Sequence, residues 1–323
     1  MKIVVLDSYT LNPGDLSWEP LKAIGELEVY DRTATPDIVE RARSAEILLT
    51  NKVPLSRATL DQLPILRFIA VTATGYDMVD VAAAGQRGIP VSNVPEYGTD
   101  SVAQFVFALL LALCHRVEAH DRAVKSGQWQ TSPDWCFWNT PQILLSGKKI
   151  GIVGFGRIGR RVGALANAFG MDVLAFDPVQ QAPPGFSNFN YTSLRELFSQ
   201  ADVVSLHCLM NDQNRGFVDR SLIGLMKKSA FLINASRGGL VNEQDLAEAL
   251  NSGRIAGAAV DVVSVEPVRP ENPLLKADNC LISPHIAWAT ATARQNLMNT
   301  TVTNIQAFVD GRPVNVVNSG FLQ

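Results

Sequence analysis

Short apolar runs alternate with stretches of mixed polarity along most of the chain, and this rhythm predicts parallel β-strands joined by helices. Polar or periodic segments such as 36–44 and 57–63 separate the runs in the amino-terminal part. The runs that have the length and composition of buried strands there are 3–6, 27–30, 46–50, 67–71 and 90–94. A parallel sheet with helices on its faces is the expected structure.

A second series of the same kind begins at Lys149, after a long helical segment predicted from about Thr99 to Ser126. Ser193 and Glu196 have the spacing of a capping box and open one of its helices. Further helices are predicted at 157–169, 220–226 and 243–252, and strands at 149–153, 172–177, 202–207, 230–235, 257–262 and 280–283. Strands with helical crossovers of this kind form a doubly wound α/β sheet of the Rossmann type.

Length and composition narrow the class of protein. At about 150 residues per domain, a chain of 323 residues corresponds to two domains. The net charge of −3, without a basic tail, argues against nucleic-acid binding. The longest apolar run, 105–114, is too short to cross a bilayer, the amino-terminal segment does not have a signal-peptide pattern, and the 4 cysteines are scattered. We therefore expect a cytoplasmic protein with no membrane partner, disulfide or metal site.

Segment 127–148 differs from the rest because it is rich in aromatic and turn residues. It contains Trp129, Trp135 and Trp138, three of the 5 tryptophans. A structured loop is the plain interpretation. Exposed aromatic side chains in such a loop are also typical of a subunit contact or a substrate lid, so Trp135 or Trp138 can reach the site of a neighbouring subunit.

The strongest local motif is a G-x-G-x-x-G sequence between an apolar strand and a helix. Gly154 permits the tight turn, Gly156 lets the backbone approach a pyrophosphate, and Gly159 lets helix and strand pack closely. The next strand ends in Asp177, where a carboxylate binds an adenosine ribose, and no Arg or Lys follows to bind a 2′-phosphate. The motif predicts a dinucleotide site that favours NAD(H) over NADP(H), with a plain βα turn as the alternative.

Three later strand ends each carry a polar side chain suited to one reaction. Arg237, Glu266 and His285 follow successive predicted strands, whose carboxyl ends open onto one crevice. Arg237 can form a fork to a substrate carboxylate and carbonyl, and His285 can exchange a proton with the alkoxide. Glu266 can orient the imidazole. The alternatives are a surface ion pair for Arg237, a solvated turn residue for Glu266 and a structural role for His285.

The motifs together resemble the D-isomer-specific 2-hydroxyacid dehydrogenases along almost the whole chain. The resemblance rests on segments 154–159, 234–238, 261–267 and 283–286, in the order and spacing of that family. Segments 232–241 and 285–290 look most like its glycerate dehydrogenase (hydroxypyruvate reductase) branch. Leu209 stands where proline is common, and Ser236 departs from the usual residues beside the arginine; altered packing with retained activity is expected from both.

The resemblance implies a role for each matching residue. Arg237, Glu266 and His285 match catalytic positions. The positions that match cofactor contacts are Gly154, Gly156, Arg157, Ile158, Gly159, Asp177, Cys208, Leu209, Asn214, Ala235, Ser236 and Asp261. The substrate loop of the family matches Thr74, Gly75 and Tyr76, and Arg237 and His285 also contact substrate. Lys52, through its positive charge, and Trp288 are expected to contribute to substrate binding as well. Lys52 has a solvated lysine as its alternative, and His207, outside these sets, is expected to be a satisfied buried histidine.

The resemblance also implies the architecture and the reaction. A discontinuous substrate-binding domain is expected from 1–98 and 287–323, and an NAD-binding Rossmann domain from 99–286. The expected reaction is NADH-dependent reduction of hydroxypyruvate or glyoxylate to D-glycerate or glycolate, without a metal, in a homodimer. The alternatives are an NAD-sensing binding protein of the corepressor type and another oxidation on the same fold, such as that of phosphite or formate.

Overall fold

Two compact units make up the described part of the chain. The computed structural model describes residues 1–182 and 185–322. The division falls after Gly98 and after Trp288, so that the first unit is built from both ends of the sequence and the second from the middle. The expectation from sequence set the second boundary after Ile286.

The first unit contains a parallel sheet of five strands in the order β2-β1-β3-β4-β5. The order of the strands reverses between β1 and β3, which makes that position the topological switch point. Its strands are β1 (Lys2–Val5), β2 (Glu26–Val29), β3 (Ile47–Thr50), β4 (Phe68–Val71) and β5 (Val91–Ser92). The helices between them are α1 (Glu19–Lys22), α2 (Ile38–Ala42), α3 (Arg57–Leu60) and α4 (Val81–Gln86), with a 3₁₀ turn at Thr35–Asp37.

Two helices open the second unit, where the sequence predicted a single helix from 99 to 126. They are α5 (Thr99–His115) and α6 (Val117–Lys125). Arg116 separates them in the left-handed region, with φ of 48°, and the two axes are bent by 51°. The single-helix prediction was wrong because residue periodicity does not report a one-residue change of backbone region. Among the described residues, no single helix is long and apolar enough to cross a membrane, although this bent pair together meets that length and composition.

A parallel sheet of seven strands forms the core of the second unit, in the order β12-β11-β10-β9-β6-β7-β8. Buried apolar clusters cover both of its faces. The strands are β6 (Lys149–Val153), β7 (Asp172–Phe176), β8 (Phe189–Tyr191), β9 (Val203–Leu206), β10 (Phe231–Asn234), β11 (Gly257–Val260) and β12 (Cys280–Ile282). Six of them match predicted strands. The sequence missed β8, a partly exposed edge strand of three residues whose aromatic side chains pack against Phe155.

The crossovers of the second unit confirm the predicted helices. Ser193 and Glu196 form the expected capping box. The helices are α7 (Arg157–Ala168), α8 (Leu194–Gln200), α9 (Arg220–Ile223) and α10 (Glu243–Asn251), with 3₁₀ turns at Gly238–Leu240 and Pro273–Lys276. The switch point of this sheet lies between β6 and β9, where the strand order reverses.

The last helix, α11 (Ala291–Val309), returns to the first unit. Its Phe308 ring stacks on Phe68 of β4 with centroids 4.5 Å apart. Beyond the helix, Asn318 accepts a hydrogen bond from the Val91 amide and donates one to the Ile89 carbonyl. The carboxyl-terminal segment therefore completes one face and one edge of the first sheet. The fold class predicted from sequence, two doubly wound parallel-sheet units with one discontinuous, is confirmed.

Candidate active site

The predicted glycine motif lies at the switch point of the seven-stranded sheet, directly after β6. Gly154 has φ of 91°, and a Cβ there would lie 2.4 Å from the Cys208 backbone nitrogen. A Cβ on Gly159 would lie 2.2 Å from the Gly154 carbonyl oxygen. Both positions therefore require glycine. Gly154 needs it for its dihedral angle and for the close approach of the Cys208 backbone, and Gly159 needs it because α7 lies close to the turn.

Gly156 differs from these two because the space beside it is open. It precedes α7, in extended backbone, and a Cβ there would meet no atom within 4 Å. Arg157 and Ile158 form the first turn of α7, whose free N–H groups and dipole favour an anion at this end. The residues present therefore fit a diphosphate: glycine supplies the room and the helix supplies the donors.

Asp177 follows β7 beside this turn, as the motif predicted. Its Oδ2 accepts a hydrogen bond of 2.8 Å from the Phe155 amide, and its Oδ1 accepts one of 2.9 Å from the Val179 amide. Each carboxylate oxygen has a second lone pair for a further donor. The side chain is therefore fixed beside the glycine turn and is able to accept ribose hydroxyl groups.

The loop after β9 forms the other side of the switch point. His207 bonds the Ser205 hydroxyl through Nε2 at 2.8 Å, which agrees with the expected satisfied histidine. Burial lowers the pKa of His207 to about 4 and raises the pKa of Cys208 to about 11. Leu209 is 85% exposed, and Asn214 donates a hydrogen bond of 2.7 Å to the Leu209 carbonyl. The His207 ring and the Cys208 thiol are therefore both neutral at physiological pH.

His285 and Glu266 are in direct contact in the second unit. The imidazole Nδ1 lies 2.7 Å from Glu266 Oε2, and the other carboxylate oxygen accepts the Val263 amide at 3.3 Å. The two side chains are 30% and 34% exposed, so the pair is open on one side. Since Nδ1 faces the carboxylate, Nε2 is the ring atom available to a substrate.

Asp261 holds the loop that carries His285. This aspartate is 1% exposed, and its carboxylate accepts hydrogen bonds from the Ser283 hydroxyl and from the Ile286 and Ala287 amides, at 2.6–2.9 Å. His285 has φ of 56°, a left-handed conformation that is unfavourable outside glycine. The Asp261 contacts offset that cost, an anchoring arrangement that the sequence did not reveal.

Arg237 follows β10, the strand next to β11. Its Nη1 donates to the Ser236 carbonyl, and the Ser236 hydroxyl donates to the Cys208 carbonyl, both at 2.9 Å. A Cβ on Gly238 would lie 1.9 Å from the Val263 carbonyl carbon, so the backbones after β10 and β11 are in contact. Arg237, Glu266 and His285 thus follow three neighbouring strands, and Ala235 and Trp288 flank them; the Trp288 indole donates to the His285 carbonyl at 3.0 Å.

In the first unit, the loops expected to contact substrate follow β3 and β4. Asp7, after β1, accepts hydrogen bonds from the Asn51, Lys52 and Val53 amides at 2.6–3.1 Å, and the Lys52 side chain is exposed. Burial raises the pKa of Asp7, and the three backbone hydrogen bonds and Lys52 oppose that rise. Asp7 is not among the residues predicted from the sequence; the signal for it is an acidic residue at the end of a buried strand.

The loop after β4 contains the other expected substrate positions. The Thr74 hydroxyl donates to the Val94 carbonyl at 2.8 Å, and Asn93 donates to the Thr74 carbonyl at 2.7 Å. Gly75 follows, and Tyr76 is 37% exposed. Thr74 is therefore tied to the residues that follow β5, and Tyr76 is partly exposed.

Comparison with known proteins identifies the family. The profile of the D-isomer specific 2-hydroxyacid dehydrogenase NAD binding domain matches residues 107–287. A hydroxypyruvate reductase of Blautia hydrogenotrophica is 50% identical over 98% of this chain and 100% of its own. A glycerate dehydrogenase of Methylorubrum extorquens is 39% identical over 98% and 99% of the two chains.

A solved structure agrees with the sequence comparisons. The D-lactate dehydrogenase of Aquifex aeolicus, complexed with NAD and lactic acid, superposes with a TM-score of 0.83 at 28% identity and covers 96% of each chain. The resemblance predicted from the four motif segments is confirmed. The chain belongs to the D-isomer specific 2-hydroxyacid dehydrogenase family, and it is an oxidoreductase with a nicotinamide-binding domain that acts on small hydroxy or keto acids.

Proposed function

We propose that this protein reduces hydroxypyruvate or glyoxylate to D-glycerate or glycolate with NADH. The observation that carries the proposal is the 2.7 Å contact between His285 and Glu266, which follow β12 and β11, while Arg237 follows the next strand of the sheet, β10. An acid held by a carboxylate beside a guanidinium is suited to a carbonyl next to a carboxylate. The relative named hydroxypyruvate reductase, 50% identical over nearly the whole chain, supports this choice of keto acid.

Each side chain of the trio has a separate task in the proposed reaction. The Arg237 guanidinium binds the substrate carboxylate and polarises the keto oxygen. His285 donates the Nε2 proton to the developing alkoxide, and Glu266 stabilises the protonated ring and fixes its orientation through Nδ1. NADH supplies the hydride when it is bound. The reverse oxidation uses the same groups, with Nε2 accepting the proton.

The cofactor residues favour NADH over NADPH in this proposal. The open position at Gly156 and the N-terminus of α7 bind the diphosphate, with Arg157, Ile158 and the neighbouring glycines. Asp177 accepts the ribose hydroxyls, and its negative charge repels a 2′-phosphate. Cys208, Leu209 and Asn214 border the adenosine side, and Ala235, Ser236 and Asp261 border the nicotinamide.

The remaining residues complete substrate binding in the proposal. Lys52 offers an exposed positive charge to the substrate carboxylate, on a loop held by Asp7. The backbone at Thr74, Gly75 and Tyr76 supplies further donors, and Trp288 supplies an aromatic wall next to His285.

We also propose that the protein is a cytoplasmic homodimer. Exposed aromatic side chains on segment 127–142 support a subunit contact there, since Trp135 is 87% and Trp138 is 66% exposed. In this proposed dimer, Trp135 or Trp138 reaches the substrate site of the partner subunit.

The experiment that tests the function is a turnover assay of the wild-type protein and the His285→Gln variant. We expect NADH oxidation with hydroxypyruvate and glyoxylate, at higher kcat/KM than with NADPH. The variant is expected to lose about 10²–10⁴-fold in kcat and to keep its affinity for NADH. His115→Gln is the control, because that ring contacts only Gln142 in the hydrogen bonds described. Cofactor binding without turnover of any 2-keto acid would instead support the NAD-sensing alternative.

A further inference from the structure

The loop that carries Glu266 is held by little packing of its own. Every residue from 264 to 271 is exposed, so apolar contacts do not fix its conformation. Glu266 nevertheless reaches His285 at 2.7 Å, within the narrow range of a strong hydrogen bond. Some other contact therefore has to hold the loop in place.

A carboxylate from another element supplies that contact. Glu243, the first residue of α10, accepts hydrogen bonds from the Ser264 amide at 2.7 Å and from the Ser264 hydroxyl at 2.6 Å. It also accepts one from the Asn272 side chain at 3.1 Å. Ser264 and Asn272 lie at the two ends of the exposed segment, so one side chain fastens both ends of the loop.

Helix α10 is itself well fixed. Its N-cap residue, Asn242, accepts a hydrogen bond from the Asp245 amide, and the helix buries Leu246, Ala247 and Leu250 in the core of the second unit. Just before the exposed segment, Val263 is in backbone contact with Gly238. The start of α10 and the turn at Gly238 thus each contact the residues that precede Glu266.

We propose that Glu243 is a positioning residue that keeps Glu266 within hydrogen-bond reach of His285. The proposal rests on the proposed function, in which His285 is the proton donor. Glu243 acts only through the loop, because its hydrogen bonds go to Ser264 and Asn272. Without it the loop moves, Glu266 no longer orients the ring, and a displacement of about 1 Å is enough to reduce turnover about 10²-fold.

The test compares Glu243→Ala with Glu248→Ala. Glu248 lies on the same helix and pairs with Arg220, away from the loop, so its variant matches the loss of one helical carboxylate. We expect Glu243→Ala to lower kcat for hydroxypyruvate by about 10–100-fold with an unchanged dissociation constant for NADH. The alkaline limb of its kcat/KM profile moves to lower pH, because the carboxylate that stabilises the protonated imidazole is displaced. Glu266 is the charged side chain bonded to that ring, while Asp261 bonds to the loop backbone and to Ser283.

A double variant separates positioning from a general structural effect. Because Glu243 acts through Glu266, adding Glu243→Ala to Glu266→Gln should reduce kcat little further, whereas independent structural damage would multiply the two losses. Ser264→Ala removes one of the three hydrogen bonds and should give a smaller change in the same direction, which keeps the test available if Glu243→Ala folds poorly. Equal kcat and pH profiles for Glu243→Ala and Glu248→Ala, or fully multiplicative losses, would overturn the proposal. Absence of turnover in the wild-type protein would instead count against the proposed function.

Discussion

At the scale of single residues, His207 shows how a polar group is accommodated at the cofactor side of the sheet. It follows β9, donates its amide to the Val153 carbonyl at 2.7 Å, and bonds the buried Ser205 hydroxyl through its ring. Burial lowers the pKa of His207 to about 4, from 6.5 in the unfolded chain, so the native protein contains the neutral ring. Unfolding between these pH values takes up a proton.

The stability of the protein should therefore fall as pH decreases from 6.5 toward 4 because of His207. The unfolded state binds a proton on this ring more readily than the native state does. The resulting loss of unfolding free energy is at most about 3 kcal/mol, and it is complete only when the pH lies below both pKa values. We expect His207→Gln to remove this part of the dependence. The measurement is urea unfolding of the cofactor-free proteins across that range, with values above pH 7 as the internal reference. An unchanged difference between the two proteins from pH 7 to pH 4 would contradict the assignment.

The sequence revealed the candidate catalytic side chains better than the side chains that position them. Arg237, Glu266 and His285 each lie in a short segment whose neighbours identify it. Glu243 and Asp7 each hold a loop that is distant from them in sequence. No sequence pattern links Glu243 to its partner Ser264, or Asp7 to its partner Lys52. Such pairs are identified only from the structure, because the order of the strands in the sheet decides which loops lie next to each other.

At the scale of elements, the turn from β6 into α7 assigns different tasks to its glycines. Gly159 is required by the fold, since a methyl group there would lie 2.2 Å from the Gly154 carbonyl. Gly156 is not required by the fold, since its methyl group would meet no atom within 4 Å and its backbone suits any residue. The open side of Gly156 is therefore better explained by cofactor binding than by packing.

The two alanine substitutions should consequently separate binding from stability. Gly156→Ala is expected to cost less than about 1 kcal/mol of unfolding free energy and to weaken NADH binding at least about tenfold, because the methyl group occupies the path of the diphosphate. Gly159→Ala is expected to cost about 1–3 kcal/mol of unfolding free energy through overpacking. Urea unfolding and fluorescence titration with NADH measure the two quantities. Tight NADH binding by a stable Gly156→Ala variant would show that the diphosphate lies elsewhere.

Element prediction succeeded where the pattern was strong and failed at two local features. Alternating apolar runs identified most strands, and the capping box at Ser193 fixed the start of α8. The break at Arg116 depends on one left-handed residue that is not glycine, and β8 is a short edge strand. Neither leaves a periodic signal, because backbone geometry at one position and pairing at a sheet edge are set by neighbouring elements.

At the scale of the whole molecule, the first unit depends on contacts between residues at opposite ends of the chain. Arg294 on α11 is 8% exposed and binds both oxygens of Asp15 at 2.6 Å. It also donates to the Leu11 carbonyl at 3.1 Å and the Ala289 carbonyl at 3.2 Å. The periodicity of α11 gave no indication of which sheet it joins; the family resemblance supplied that expectation.

Replacement of Arg294 should therefore loosen the amino-terminal loop as well as the carboxyl-terminal helix. The guanidinium beside Asp15 lowers the pKa of that carboxyl group, so the ion pair persists at neutral pH. We expect Arg294→Lys to lower the unfolding temperature by roughly 5 °C, because one ammonium group cannot replace a fork that reaches two carbonyls and a carboxylate. Hydrogen exchange should rise in peptides covering 8–17. Asp15→Asn leaves both carbonyl contacts in place and should have the smaller effect on both measurements. An equal or larger effect would show that the ion pair with Asp15, rather than the hydrogen bonds of the buried guanidinium to the two carbonyls, holds the two ends of the chain together.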